Sequence, residues 1–228
     1  MIISDWISNN FIEIFGAVTG IVYVFLEIKQ TIWLWPVGII TSAVYIWVFF
    51  TSKFYADMSL QGYYLIISFL GWYWWRKGAG HGEQGPEQVG QSTKPLEEGK
   101  DGRLGDEEKK ELQVTRLKLK TGIILAIVFV LLYTVMWFVL TRLTDSPVPV
   151  RDSFITSLSI VATWMLARKI YEHWFLWIVV NFVSAVLFLT RGLYPTVILY
   201  VVYGIMSFAG LVAWGKTIKN NLSANKNE

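Results

Sequence analysis

Trp174, Trp177 and Asn181 stand at i, i+3 and i+7 in the run WFLWIVVN, so on a helix they share one face: two flat rings, then an amide that both donates and accepts. Such a face suits a planar aromatic ligand. The competing reading is an interfacial tryptophan belt with an asparagine bonded to a neighbouring helix. Asn181 weighs toward a ligand, because it lies nearly two turns deeper than Trp174 and an unpaired amide in hydrocarbon is costly. Groups for other chemistry are few. His81 and His173 are the only histidines, cysteine is absent, and no H-E-x-x-H, G-x-S-x-G or P-loop pattern occurs, so no enzyme activity, metal or cofactor is expected. His173 reads as an interfacial residue at a helix start. Glu13, Glu27, Asp57 and Arg191 each fall close to a helix end, where they are expected to reach water. With no carboxylate evident at mid-span to bind a coupling ion, facilitated diffusion is the expected energetics. Gly16 and Gly20 have GxxxG spacing, which lets two helices approach closely.

The elements that must position these residues are membrane helices. Apolar residues make up 54% of 228 positions, mean hydropathy is +0.45 and there are twelve tryptophans, more than a single soluble core can use. They fall in blocks of about twenty with charges expelled to the gaps, the spacing a bilayer imposes. The candidate spans are 11–28, 32–50, 58–75, 121–141, 153–167, 174–190 and 194–214. The fourth, TGIILAIVFVLLYTVMWFVLT, reaches about 30 Å at 1.5 Å per residue. The fifth is short and rich in hydroxyls, which on a membrane helix normally bond its own carbonyls or a neighbour. Between the third and fourth spans, residues 76–120 form a solvated cytoplasmic tether, too poor in apolar residues to build a core. Its end, DEEKKELQVTRLKLK, has helical charge spacing and is expected as a surface helix leading into the fourth span, either a plain connector or a contact for anionic lipid or a partner. The formal charge of +3 is small and lies beside apolar blocks, which argues against nucleic acid as a partner.

An internal repeat organises the spans. Shifting residues 15–75 by 139 positions onto 154–214 needs no gap and matches Trp35 with Trp174, Tyr55 with Tyr194, Tyr64 with Tyr203, Gly71 with Gly210 and Trp75 with Trp214. The fifth span therefore inherits membrane status from the first. Two three-helix repeats, 11–75 and 153–214, are separated by one linker helix at 121–141, so both enter the membrane from the same side. The expected fold is all-α, a 3+1+3 arrangement of parallel repeats like that of the SWEET type, with a solute site between the halves. Trp177 and Asn181 match Gly38 and Ser42, so the halves differ where a site would be, as an asymmetric solute requires. The side holding the N-terminus carries only Lys53, Arg142, Arg151 and Arg191, whereas Lys29, Arg168, Lys169, Lys216, Lys219, Lys226 and the basic residues of the tether lie opposite, which puts the C-terminus in the cytoplasm.

The run RKIYEHWFLWIVVNFVSAVLF, with its W-x-x-W-x-x-x-N core, and the earlier FYADMSLQGYYLIISFLGWYWW resemble the PnuC family of bacterial vitamin transporters over all seven helices but not the tether. The resemblance implies a homotrimer in the bacterial inner membrane and facilitated uptake of nicotinamide riboside, with cytoplasmic phosphorylation trapping the product. It implies a substrate site of Trp174, Trp177 and Asn181 with Gln61 and the tyrosines Tyr64, Tyr200 and Tyr203. The sequence departs from the nicotinamide riboside pattern at Thr41 and Ser68, where asparagine is usual. Thiamine and riboflavin, carried by relatives of the same fold, therefore remain alternatives, because an amide-to-hydroxyl change alters which ring edge can be bonded. A non-transporting membrane receptor or scaffold is the alternative of another class.

Overall fold

A computed structural model describes residues 11–51, 55–77, 112–143, 148–190, 192 and 194–224. The tether from 78 to 111 with His81, and Arg191, lie outside them, as do the side chains of Glu13 and Asp57. The described chain is seven helices: α1 Phe11–Ile28, α2 Leu34–Thr51, α3 Tyr55–Lys77, α4 Leu119–Arg142, α5 Pro149–Ala167, α6 His173–Thr190 and α7 Tyr194–Ala224. Each matches one expected span. The largest difference is α7, which continues ten residues past 214 because its polar tail can stay helical beyond the hydrocarbon.

Length and composition separate helices that meet lipid from those that do not. Among the described residues, Leu119–Arg142, His173–Thr190 and Thr196–Asn221 are long and apolar enough to cross a membrane, and Phe15–Ile28 and Leu34–Val48 are shorter apolar helices. α4 is the most apolar of these and has no buried residue; it packs on α5 alone. α5 is the opposite case. It lies among α3, α4 and α6, and Ser153, Ser157, Ser159 and Thr163 are all buried along it. A helix enclosed by protein need not be lipophilic, which explains its weak hydropathy. Its hydroxyls mostly follow the plain expectation: Ser153, Ser159 and Thr163 donate to Pro149, Ile155 and Ser159 carbonyls at 2.6 to 2.8 Å.

The first three and last three helices interlock. α2 packs on α3 and α6 on α7, while α1 crosses to α7 and α3 to α5. Many local devices occur twice at the 139-residue offset. Trp35 and Trp174 are both fully buried, and each lies so close over a glycine, Gly71 or Gly210, that a Cβ there would overlap the ring. Each also meets a second tryptophan edge-on, Trp75 at 5.4 Å and Trp214 at 5.8 Å. The indole of Trp75 donates to the Ala167 carbonyl at 3.2 Å, and that of Trp214 to the Glu27 carbonyl at 3.1 Å, so each third helix is tied to the end of the other half's first helix. α1 and α5 end alike, in a residue with positive φ, Gln30 at 55° and Lys169 at 50°. Thr31 N–H reaches Leu26 O at 3.1 Å and Gln30 N–H reaches Glu27 O at 3.0 Å; Ile170 and Lys169 repeat the pair on Met165 and Leu166, both at 2.9 Å. These are Schellman caps, built without the glycine that usually occupies the left-handed position.

Two expectations fail in this part of the molecule. Residues 112–118 do not form a surface helix. They run extended, with Thr115 N–H on Lys169 O at 3.0 Å, Tyr171 N–H on Thr115 O at 2.9 Å and Leu117 N–H on a Glu172 carboxylate oxygen at 2.7 Å. Val114, within this stretch, is buried in the core. The α5–α6 turn offers backbone partners and an apolar seat, and these outweigh helical charge spacing. Gly16 and Gly20 likewise make room for side chains: a Cβ on either would collide with the hydroxyl of Tyr45 or Tyr203. The small residues admit tyrosines from α2 and α7, not a neighbouring helix backbone.

Candidate functional site

A cavity of about 500 Å³ lies among α1, α2, α3, α5, α6 and α7, and α4 contributes nothing to its lining. That volume is within the range of small-molecule sites. Thr41, Gln61, Ser68, Tyr64, Trp174, Trp177, Asn181, Tyr200 and Tyr203 all line it. Residues from four helices, α2, α3, α6 and α7, thus meet on one surface.

The sixth-helix face divides into different roles. Trp174 touches the cavity only as the edge of a core residue: it is 0% exposed, wedged over Gly210 and packed against His173 and Trp214. Among the described residues its indole N–H has no hydrogen-bond partner, but neither does that of Trp35, which does not line the cavity. The orphaned donor is therefore a property of the wedge. Trp177 differs. Its N–H is buried without a partner among the described residues, and its counterpart in the other half is Gly38, packed so tightly on Ser68 and Tyr23 that an added Cβ would meet the Ser68 hydroxyl at 2.9 Å. Trp177 thus lines the cavity with a buried donor that has no acceptor among the described residues. Asn181, one turn on, uses one amide hydrogen on Ser207 Oγ at 3.1 Å, and Ser207 in turn donates to Tyr203 O at 2.8 Å. The rest of the amide makes no further hydrogen bond among the described residues.

On the facing walls, Gln61 and Thr41 make no side-chain hydrogen bond among the described residues, so an amide and a hydroxyl stay available to a solute. Ser68 is less so, because its hydroxyl donates to Tyr64 O at 2.7 Å. The Tyr64 ring packs against Tyr63 at 5.6 Å. Tyr200 also stacks on Phe188 at 5.3 Å and meets Tyr203 edge-on at 6.0 Å. The three rings thus each pack against another ring, and the Tyr203 hydroxyl occupies the space Gly20 leaves. Gln61 and Tyr200 are repeat counterparts, as are Ser42 and Asn181. Positions at the 139-residue offset thus carry different chemistry at the cavity.

Sequence reasoning misplaced Glu27 and His173. Glu27 is 2% exposed and lines the cavity, whereas His173 is 0% exposed behind it. Neither reaches water at an interface. Glu27 stands at the end of α1 and His173 at the start of α6, and their side chains meet at 3.0 Å. His173 Nδ1 faces the Ile170 carbonyl at 2.6 Å, and a carbonyl only accepts, so Nδ1 carries hydrogen. Nε2 and the Glu27 oxygen can then approach only across a shared proton. The pair is neutral overall, with its carboxylate end toward the cavity. The signal was absent from the sequence because Glu27 and His173 lie 146 residues apart, and their repeat counterparts, Leu166 and Leu34, are apolar.

Known proteins with related chains agree on one family. A nicotinamide riboside transporter PnuC of Escherichia coli is 25% identical over 214 residues, covering 90% of this chain and 85% of that one. The protein of the same name from Neisseria mucosa is 28% identical over 213 residues, covering 90% and 72%. The riboflavin/roseoflavin transporter RibM of Streptomyces davaonensis is 22% identical over 202 residues, covering 89% and 83%. The crystal structure of the vitamin B3 transporter PnuC superposes with a TM-score of 0.67 at 25% identity, covering 96% of this chain and 86% of that one. The family model described as nicotinamide mononucleotide transporter matches residues 10–216, and the chain belongs to that family.

Proposed function

We propose that this protein carries nicotinamide riboside across the bacterial inner membrane by facilitated diffusion, with cytoplasmic phosphorylation trapping the product. The observation that carries this reading is the convergence of an unpartnered Trp177 N–H with the open hydrogen-bonding capacity of Gln61 and Asn181 in one aromatic-walled cavity. In this reading Trp177 stacks on the nicotinamide ring and donates to a polar edge. Gln61, Asn181 and Thr41 bond the carboxamide and ribose. Tyr64, Tyr200 and Tyr203 wall the solute in, Ser68 supports Tyr64, and Trp174 fixes the register of α6. The similarity to named nicotinamide riboside transporters supports the substrate, and that to a riboflavin transporter makes riboflavin the second reading.

The same proposal takes the halves, 11–75 and 153–214, as parallel repeats of the SWEET type joined by the linker helix 121–141, supported by the paired tryptophan–glycine wedges and paired Schellman caps. Alternating access is then a rocking of one half against the other around the shared cavity. The basic tether puts the C-terminus in the cytoplasm, and family resemblance supports a homotrimer. Counterflow into liposomes preloaded with unlabelled nicotinamide riboside tests the carrier. Labelled solute should exchange with no ion gradient imposed. Because Glu27 is a buried carboxylate on the cavity, an ionophore arm matters: concentrative uptake that collapses with the ionophore would replace facilitated diffusion with ion coupling. Binding without exchange would favour a receptor.

A further inference from the structure

We infer that Glu27, backed by His173, selects solutes whose ring carries a positive charge. This rests on the cavity being the solute site. Among the lining residues Glu27 is the one acid or base other than tyrosine. Only one of its oxygens is taken up by His173; the other makes no hydrogen bond among the described residues. A lone carboxylate buried there would be costly, and the His173 proton offsets that cost while leaving the negative end of the pair on the solute side. A cationic ring entering the cavity meets that negative end in a medium of low dielectric, where charge interactions are strong. It also meets the electron-rich faces of Tyr23, one turn before Glu27, and Tyr64, which attract cations further. An uncharged ring of the same shape gains neither.

The fold does not require this pair. At the equivalent place in the other half stand Leu166 and Leu34, both fully buried, so apolar side chains satisfy the same packing without any charge. A buried acid and base where the repeat tolerates two leucines points to the solute. The pyridinium of nicotinamide riboside and the thiazolium of thiamine have the required charge, whereas the isoalloxazine of riboflavin is neutral.

The test is titration calorimetry on the full chain in detergent, with nicotinamide riboside, its uncharged reduced dihydropyridine form, thiamine and riboflavin offered to the parent, Glu27→Gln and Glu27→Asp. The parent should prefer the pyridinium to the reduced ring by about tenfold or more, the scale of a hydrogen bond gained to a charged group. Glu27→Gln should bring the two within about threefold by weakening the cation alone, and Glu27→Asp should keep most of the preference. Unchanged affinity of Glu27→Gln for the reduced ring shows that the variant is folded. Equal loss of both ligands in Glu27→Gln, or an intact preference, overturns the inference while leaving the carrier reading standing. A parent that binds thiamine and not nicotinamide riboside supports cation selection and overturns the proposed substrate. A parent that prefers riboflavin or the reduced ring, or binds none of the four, overturns both.

Discussion

Replacing Asn181 by leucine separates a solute contact from a packing contact. The leucine is similar in volume and suits an apolar helix, so the chain should fold and insert. The structure limits what else changes. Asn181 donates to Ser207 Oγ at 3.1 Å, but Ser207 keeps its own bond to the Tyr203 carbonyl at 2.8 Å, so the substitution strands no buried donor. Stability should fall by no more than about 1 kcal/mol, the net worth of one hydrogen bond. The solute, by contrast, loses its partner inside a dry site, at a cost of about 1 to 3 kcal/mol, or roughly ten- to a hundredfold in affinity. Calorimetry on purified protein reads the affinity and liposome counterflow the transport. Ser207→Ala is the control, because it removes the same protein–protein bond and leaves the amide facing the cavity. The reasoning predicts a large effect from Asn181→Leu and a small one from Ser207→Ala. If both variants bind and transport alike, the asparagine serves only its neighbour on α7 and the sixth-helix face is a packing surface.

Trp177→Ala should weaken binding strongly, by the stacking contribution of about 0.5 to 1.5 kcal/mol beyond lost area, and calorimetry should find Trp177→Phe partly restored. Gly71→Ala and Gly210→Ala should each lower thermal stability by about 1 to 3 kcal/mol or more, since each new methyl meets a buried tryptophan ring; a melting temperature unchanged in either would contradict the wedge. Trp214→Ala, fully buried and outside the cavity lining, should reduce stability more than affinity when both are measured on one preparation. A phosphatase or fluorescent reporter after Glu228 should report the cytoplasm, and one at the N-terminus the opposite side; both ends on one side would refute the seven-crossing topology.

Residue order alone was enough for the helices, because a bilayer demands uninterrupted apolar length and the chain supplies it in countable blocks. It also carries a recurrence: Trp35 with Trp174 and Gly71 with Gly210 stand at one fixed offset, and in the structure each tryptophan lies over its glycine. Helical periodicity put Trp177 and Asn181 on one face, and both line the cavity. What the sequence could not contain was depth. Trp174 and Trp177 look equivalent three residues apart, yet Trp174 is a fully buried core wedge and Trp177 is only partly buried at the cavity, a difference decided by Gly210 and Trp214 on another helix. Glu27 and His173 were assigned to water because each lies at a helix end, and helix ends usually reach an interface. Here the side chains at the end of α1 and the start of α6 reach each other inside the bundle, and only the tertiary fold makes a carboxylate and an imidazole 146 residues apart into one buried, proton-sharing pair.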